Sequence, residues 1–227
     1  MNLSDFSKEF DLGYNNALSF SAPPINVYMK SLFLTQEQES IVREKYPNFE
    51  KSEEVREQLR NLVRTDVINY DASLNEEVVA NRFSLSSKFF EVDEKVWFIL
   101  SETINGNVMV VPTPIDEYHI NIKNPYKMPK TGVRAWRLDV GADSYKLREI
   151  VYPDSISTYT IRYLQKPDPI ILENLAPYSV DIEGVTAPTP CKLSTQLHRI
   201  ILEGAIQRAV MAYKENTLQA RVQLGDK

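Results

Sequence analysis

The chain has 227 residues, 43% hydrophobic and 25% charged, with a formal net charge of −5. Those proportions belong to a folded protein with a substantial core and exclude fibrous and disordered classes, while the acidic balance speaks against dedicated binding of naked nucleic acid. One cysteine, Cys191, rules out an internal disulfide, and neither a secretory leader nor a bilayer-spanning apolar run is visible, so a reducing cytoplasm is the expected compartment.

The first third reads as helical. Phe6, Phe10, Leu12, Tyr14 and Leu18 mark a short, imperfectly amphipathic segment that Ser21-Ala22-Pro23-Pro24 should stop, since neither proline can donate to a helical ladder. A second helix is expected after Leu34, with Thr35 as N-cap, Gln38 completing a capping box and Pro47 ending it. Ser52 then caps a third helix whose first turn carries Glu53 and Glu54 and whose apolar stripe is Val55, Leu59, Leu62 and Val63.

In the middle the period changes to two. Strands are expected over 83–89, over 96–100 as a central strand, and over 108–111, with Asn105-Gly106 making a hairpin and Pro112 and Pro114 closing it. Ile115 to Ile122 forms a short helix, and 123–133 an exposed loop rich in Lys and Pro. Further strands are expected over 134–140 and 145–152, joined through Gly141-Ala142-Asp143, and over 157–164, where Tyr159, Ile161 and Tyr163 share one face. Residues 166–190 are punctuated by proline around the apolar run Ile170-Ile171-Leu172. Ser194 caps a last helix reaching about Tyr213, with Leu197, Ile200, Ile201, Ala205, Ile206, Ala209 and Val210 on its apolar stripe and a frayed or partner-ordered tail beyond Asn216. The sum is an α+β fold in one domain, 1–227, with N-terminal helices, a central antiparallel sheet, a proline-rich connector and a long C-terminal helix; a helical part, 1–70, has the makings of a semi-independent unit.

Chemistry is sparse. His119 and His198 have no partners at ligand spacing, so no metal site is expected. Cys191 and His198 lack a third orienting group, Asp139 and Asp143 read as turn residues, and no phosphate-cradling or nucleophile-elbow motif occurs. The expectation is therefore no enzyme and no cofactor. Lys127, Lys130, Arg134 and Arg137 surround Tyr126 and Trp136 as a candidate basic patch, which suits docking on acidic protein better than contact with phosphates.

The succession Tyr163-Leu164-Gln165-Lys166-Pro167-Asp168-Pro169-Ile170-Ile171-Leu172, Ile182-Glu183-Gly184, Cys191-Lys192-Leu193, Leu197-His198-Arg199-Ile200-Ile201 and Arg208-Ala209-Val210 carries a family likeness. With Phe10-Asp11-Leu12-Gly13-Tyr14, Ser31-Leu32-Phe33-Leu34-Thr35 and Asn124-Pro125-Tyr126, it resembles a structural protein of the head–tail connector in crAss-like, short-tailed bacteriophages. The resemblance implies a virion ring or adaptor protein at the head–tail junction below the portal, assembled in the host cytoplasm, in about twelve copies around a DNA channel. Its implied partners are further copies of itself, the portal, other connector or tail proteins and, in passing, packaged DNA, with no membrane. It singles out Phe10, Tyr14, Tyr126, Trp136, Tyr163, Pro167, Pro169, Ile171, His198 and Arg208 as interfacial or fold-defining. The alternatives are another tail or head-completion protein of the virion and a DNA-binding assembly factor.

Overall fold

Two prolines followed by Asn26 decide where the longest helix of the N-terminal third begins. In the computed structural model, which describes residues 1–18, 23–72, 87–138 and 146–225 (side chains of the last helix to residue 215), α1 spans Leu3–Ala17 and α2 spans Val27–Lys45. Asn2 caps α1 through a reciprocal box with Asp5, and Asn26 caps α2 by accepting from the Met29 N–H at 2.8 Å. The expected N-cap at Thr35 is therefore corrected to Asn26, nine residues earlier. Nothing in 27–34 breaks a helix, and Thr35 and Gln38 are interior residues whose polar atoms are used elsewhere.

After a 3₁₀ turn at Tyr46–Asn48, Ser52 caps α3, Glu53–Leu59, as its acidic first turn predicts. The expected stripe is cut short: a 3₁₀ turn at Arg60–Leu62 ends the helical run, and Val63 opens strand β1, Val63–Asn69, which the helical reading of the first third missed. β-branched Val63, Thr65, Val67 and Ile68 supply the strand preference.

The described chain divides into two compact units, 1–62 with 167–227, and 63–166. The second holds one curled seven-stranded sheet: β1, β2 (Ser87–Glu91), β3 (Val96–Ile104), β4 (Val108–Thr113), β5 (Arg134–Leu138), β6 (Leu147–Val151) and β7 (Thr158–Gln165), in the order β1-β7-β3-β4-β5-β6-β2. Every neighbouring pair is antiparallel except β4–β5, which is parallel, so the expected antiparallel sheet is a mixed one. The connection 114–133, containing the short helix α4 (Tyr118–Asn121), carries the chain back to the starting end, which is what a parallel neighbour requires.

Asn105 and Gly106 both have positive φ (49° and 80°) and turn the β3–β4 hairpin as expected. Pro112 does not close β4. The β3–β4 ladder consists of Thr103↔Met109 and Ile104↔Val108 only, so Pro112 lies beyond it, in register with Arg137 of β5. Residues 83–86, 139–140 and the 141–143 turn lie outside the described residues. The alternation predicted for Tyr159, Ile161 and Tyr163 holds: all three are buried, with Phe90, Ile104, Ile150 and Ala135 in one apolar core. Trp136 and Tyr118 meet edge to face, 5.7 Å apart, in a smaller cluster with Leu138 and Val151.

In the first unit, α5 spans Thr195–Gly225 rather than stopping near Tyr213, because no glycine or proline interrupts residues 214–224. Its buried apolar positions are Leu197, Ile201, Leu202, Ala205 and Ala209, with His198 buried beside them; Ile200 faces outward and Val210 is half-buried.

Candidate interaction surfaces

Buried hydroxyls and amides on α2 hold the proline-rich connector. Ser31, Thr35 and Gln38 recur at helical spacing and are almost wholly inaccessible. Ser31 Oγ accepts from the Leu172 N–H (3.1 Å), Thr35 Oγ1 from the Ile170 N–H (3.0 Å), and Gln38 Nε2 donates to the Asp168 carbonyl (2.9 Å). Three side chains thus meet alternate residues of an extended segment, as a neighbouring strand's backbone would. On the opposite side Ile171 pairs with Thr189 through both backbone bonds, each 3.0 Å. Pro167 and Pro169 are buried here, and having no N–H they leave no donor unsatisfied.

At the α1–α5 contact, the Phe6 ring lies 5.4 Å from that of His198. His198 Nδ1 receives the amino group of Met1 at 2.9 Å, so its Nε2 carries the proton and donates to the Leu193 carbonyl at 3.2 Å. Burial, and then the neighbouring ammonium, hold this imidazole below its ordinary range, neutral. Phe10 and Tyr14 are buried along the same face of α1, and burial pushes the Tyr14 hydroxyl pKa up. Arg208 Nε donates to Glu37 Oε2 at 2.5 Å, tying α5 to α2.

Within the sheet unit, Tyr163 donates to Asp66 at 2.7 Å, and burial together with that acceptor raises its pKa. Where the β3–β4 ladder stops, Glu102 reaches Arg137 Nη1 at 2.5 Å with its Oε2 and accepts from the Tyr159 hydroxyl with its Oε1. Burial first, then the Glu102 charge, keeps Tyr159 protonated far above the ordinary phenol range.

Eight of the residues singled out in the sequence are therefore internal: Phe10, Tyr14, Trp136, Tyr163, Pro167, Pro169, Ile171 and His198. Arg208 is part-exposed, and Tyr126, at 84% exposure, stands in solvent. Lys130 and Arg134 are bridged through their backbones, but the four basic side chains have different surroundings. Lys127 and Lys130 are exposed, Arg134 turns back to donate to the Tyr126 carbonyl at 2.6 Å, and Arg137 is committed to Glu102. A surface the sequence reading missed is an apolar cleft of about 320 Å³ lined by Ile25, Val27, Tyr28, Tyr178 and Val180 beside Asn26. Its signals were the Pro177-Tyr178 turn and the Asp181-x-x-Gly184 turn that shape one wall.

Among the described residues no group of three His, Cys, Asp or Glu is placed to hold a metal, and no helix is long and apolar enough to cross a membrane. The Cys191 thiol, which donates to Gln38 Oε1 at 3.2 Å, is pushed up to about 11 by burial, the reverse of an activated nucleophile. What the fold displays is latched segments and exposed contact residues.

A family model described as phage tail ring protein 3/4 matches residues 1–221. The chain belongs to the phage tail ring protein 3/4 family. It is 34% identical over 236 residues to "Ring protein 3" of Bacteroides phage crAss001, covering 93% of this chain and 97% of that protein. It is 30% identical over 242 residues to "Ring protein 4/5" of the same phage, covering 100% and 99%. As a member of this ring-protein family it is a virion structural protein, and the sequence resemblance to a crAss-like phage ring protein holds. The family role is structural, so the latches and surfaces above are best understood as parts of a building block.

Proposed function

We propose that the chain forms an oligomeric ring in the head–tail connector below the portal, in about twelve copies, sealing the joint while packaged DNA passes through. The observation that carries this reading is the end-to-end likeness to two ring proteins of one crAss-like phage. Ring assembly requires heterologous contacts, one face of each subunit meeting a different face of the next, and the chain exposes Tyr126, Tyr178, Ile120 and Met211 well beyond what its core uses. Assembly takes place in the host cytoplasm, with the portal and other connector or tail proteins as neighbours.

Cryo-electron microscopy of the virion tests the reading. Density for this chain as a closed ring against or just beneath the portal is expected. Density elsewhere in the tail would keep a virion role and discard the connector. Absence from the particle would return a DNA-binding assembly factor to the front, for which salt-sensitive duplex binding lost with Lys127 and Lys130 is the signature.

A further inference from the structure

Tyr126 is fully built into its loop by its backbone and not at all by its ring. Its N–H donates to Asn124 Oδ1 at 3.0 Å, its carbonyl accepts from Arg134, and the next carbonyl, of Lys127, accepts from Trp136 Nε1 at 3.0 Å. Lys127 and Met128 also donate to the Asn124 carbonyl, at 3.0 and 2.9 Å. A short bridge between Lys130 and Arg134 closes the loop at its far side. The outcome is an aromatic side chain, 84% exposed, on a backbone that has little freedom left to lose. Exposed Lys127 and Lys130 flank it.

The apolar cleft has the complementary character. Its floor is Tyr28 and Val180, which pack against the buried cluster Ile171, Leu175 and Ile182, and Tyr178 forms a 66% exposed lip. One wall is the capped first turn of α2. The other is a segment holding two non-glycine residues at positive φ, Ser179 and Glu183, both at 53°. Residues kept in that conformation cost free energy and concentrate at ligand clamps. The turn that follows Val180 carries exposed Asp181 and Glu183. At about 320 Å³ the cleft sits at the small end of the usual range for ligand pockets, about 300–1,000 Å³, and suits one or two side chains better than a large cofactor.

Resting on the ring reading, we propose that Tyr126 of one copy seats in the Ile25–Val27–Tyr178–Val180 cleft of the next, with Lys127 and Lys130 over the acidic rim at Asp181 and Glu183. An apolar protrusion meeting a recess elsewhere on an identical molecule is a heterologous contact, the kind that propagates around a ring. Tyrosine is enriched among the residues that dominate interfaces, and a basic collar against an acidic rim fixes orientation and rejects the reverse pairing. A duplex is the poorer occupant for the loop: its connection also carries exposed Asp116 and Glu117, and the chain is acidic overall.

The test uses the full chain, with self-association followed by sedimentation velocity and folding by thermal melting. Tyr126→Ala is expected to weaken association about tenfold or more while leaving the melting temperature unchanged. Lys127→Glu with Lys130→Glu should weaken it likewise, and adding Asp181→Lys with Glu183→Lys should restore it. Unchanged association in Tyr126→Ala, no restoration by the charge exchange, or a wild-type chain that stays monomeric throughout would each overturn the proposal. So would a lysine variant that loses salt-dependent duplex binding but assembles normally. None of these outcomes decides the ring reading, which the virion map judges separately.

Discussion

Replacing Arg137 by methionine keeps most of the side-chain volume and removes the cation beside Glu102. The carboxylate would then sit in the sheet interior with the Tyr159 hydroxyl on Oε1 and no guanidinium on Oε2; the two charged side chains are 3% and 11% exposed. Breaking a buried pair by deleting one partner typically costs about 3–5 kcal/mol, because a desolvated charge is left without its counter-ion. For a unit of this size each kcal/mol corresponds to roughly 4–8 °C in Tm, so a fall of at least about 12 °C is expected. Both tryptophans, Trp97 and Trp136, belong to the 63–166 unit, so denaturant unfolding followed by tryptophan fluorescence reports on the sheet selectively. The informative comparison is the cycle with Glu102→Leu. The double variant Glu102→Leu/Arg137→Met should recover most of the loss, since two apolar groups replace two charges. A single variant within about 1 kcal/mol of wild type, or a double variant no better than the single, would refute the reasoning.

Three further outcomes follow from the same geometry. His198 has a folded pKa below its ordinary value of about 6.5, so the unfolded chain takes up the proton first; its stabilising contribution is full above about pH 6.5 and lost as pH falls through the folded value. Urea midpoints read by circular dichroism at neutral and mildly acidic pH should show that decline, and His198→Gln should flatten it. A Cβ at Gly204 would stand against the Glu37 carboxyl and 2.7 Å from its Cγ, so Gly204→Ala should lose about 1–2 kcal/mol despite better helix propensity, and Gly204→Ala/Glu37→Ala should regain part of it by the same urea assay. With its thiol pushed up to about 11 and half-buried, Cys191 should alkylate far more slowly than a free thiol at pH 8 in the native chain and at the ordinary rate in urea, as mass spectrometry would show.

The elements legible in the sequence are those whose signals are local. Ser52 with Glu53 and Glu54, Asn105-Gly106, and the alternation from Thr158 to Leu164 each act over a few residues, and each has the predicted structure. The capping-box spacing of Thr35 and Gln38 misled because it is also the spacing of one helix face. Those polar atoms are turned inward to residues about 130 positions away, and no local pattern reveals that. β1 was hidden for a similar reason: its partner, β7, lies about a hundred residues on, with Val63 opposite Leu164. Lys127, Lys130, Arg134 and Arg137 are close along the chain, but strand alternation sends Arg137 inward to Glu102, which nearness in sequence does not reveal. Tyr126 emerged from the same stretch as an exposed side chain because the loop's own backbone bonds determine its direction.

The row of Ser31, Thr35 and Gln38 also sets a timetable for synthesis. Thr35 waits for Ile170, which emerges 135 residues later, and Gln38 waits for Asp168. At about 5–20 residues per second the interval is on the order of ten seconds, during which α2 has its polar face without the connector that covers it. The 63–166 unit, whose pairings are all internal to that span, can complete first. The cleft beside Asn26 needs Tyr178 and Val180 for its second wall, so it does not exist on a nascent chain. On the proposed seating of Tyr126, a subunit built this way would gain its docking recess only after residues 178–180 have emerged, and copies cut off before that point would have no recess to offer a neighbour.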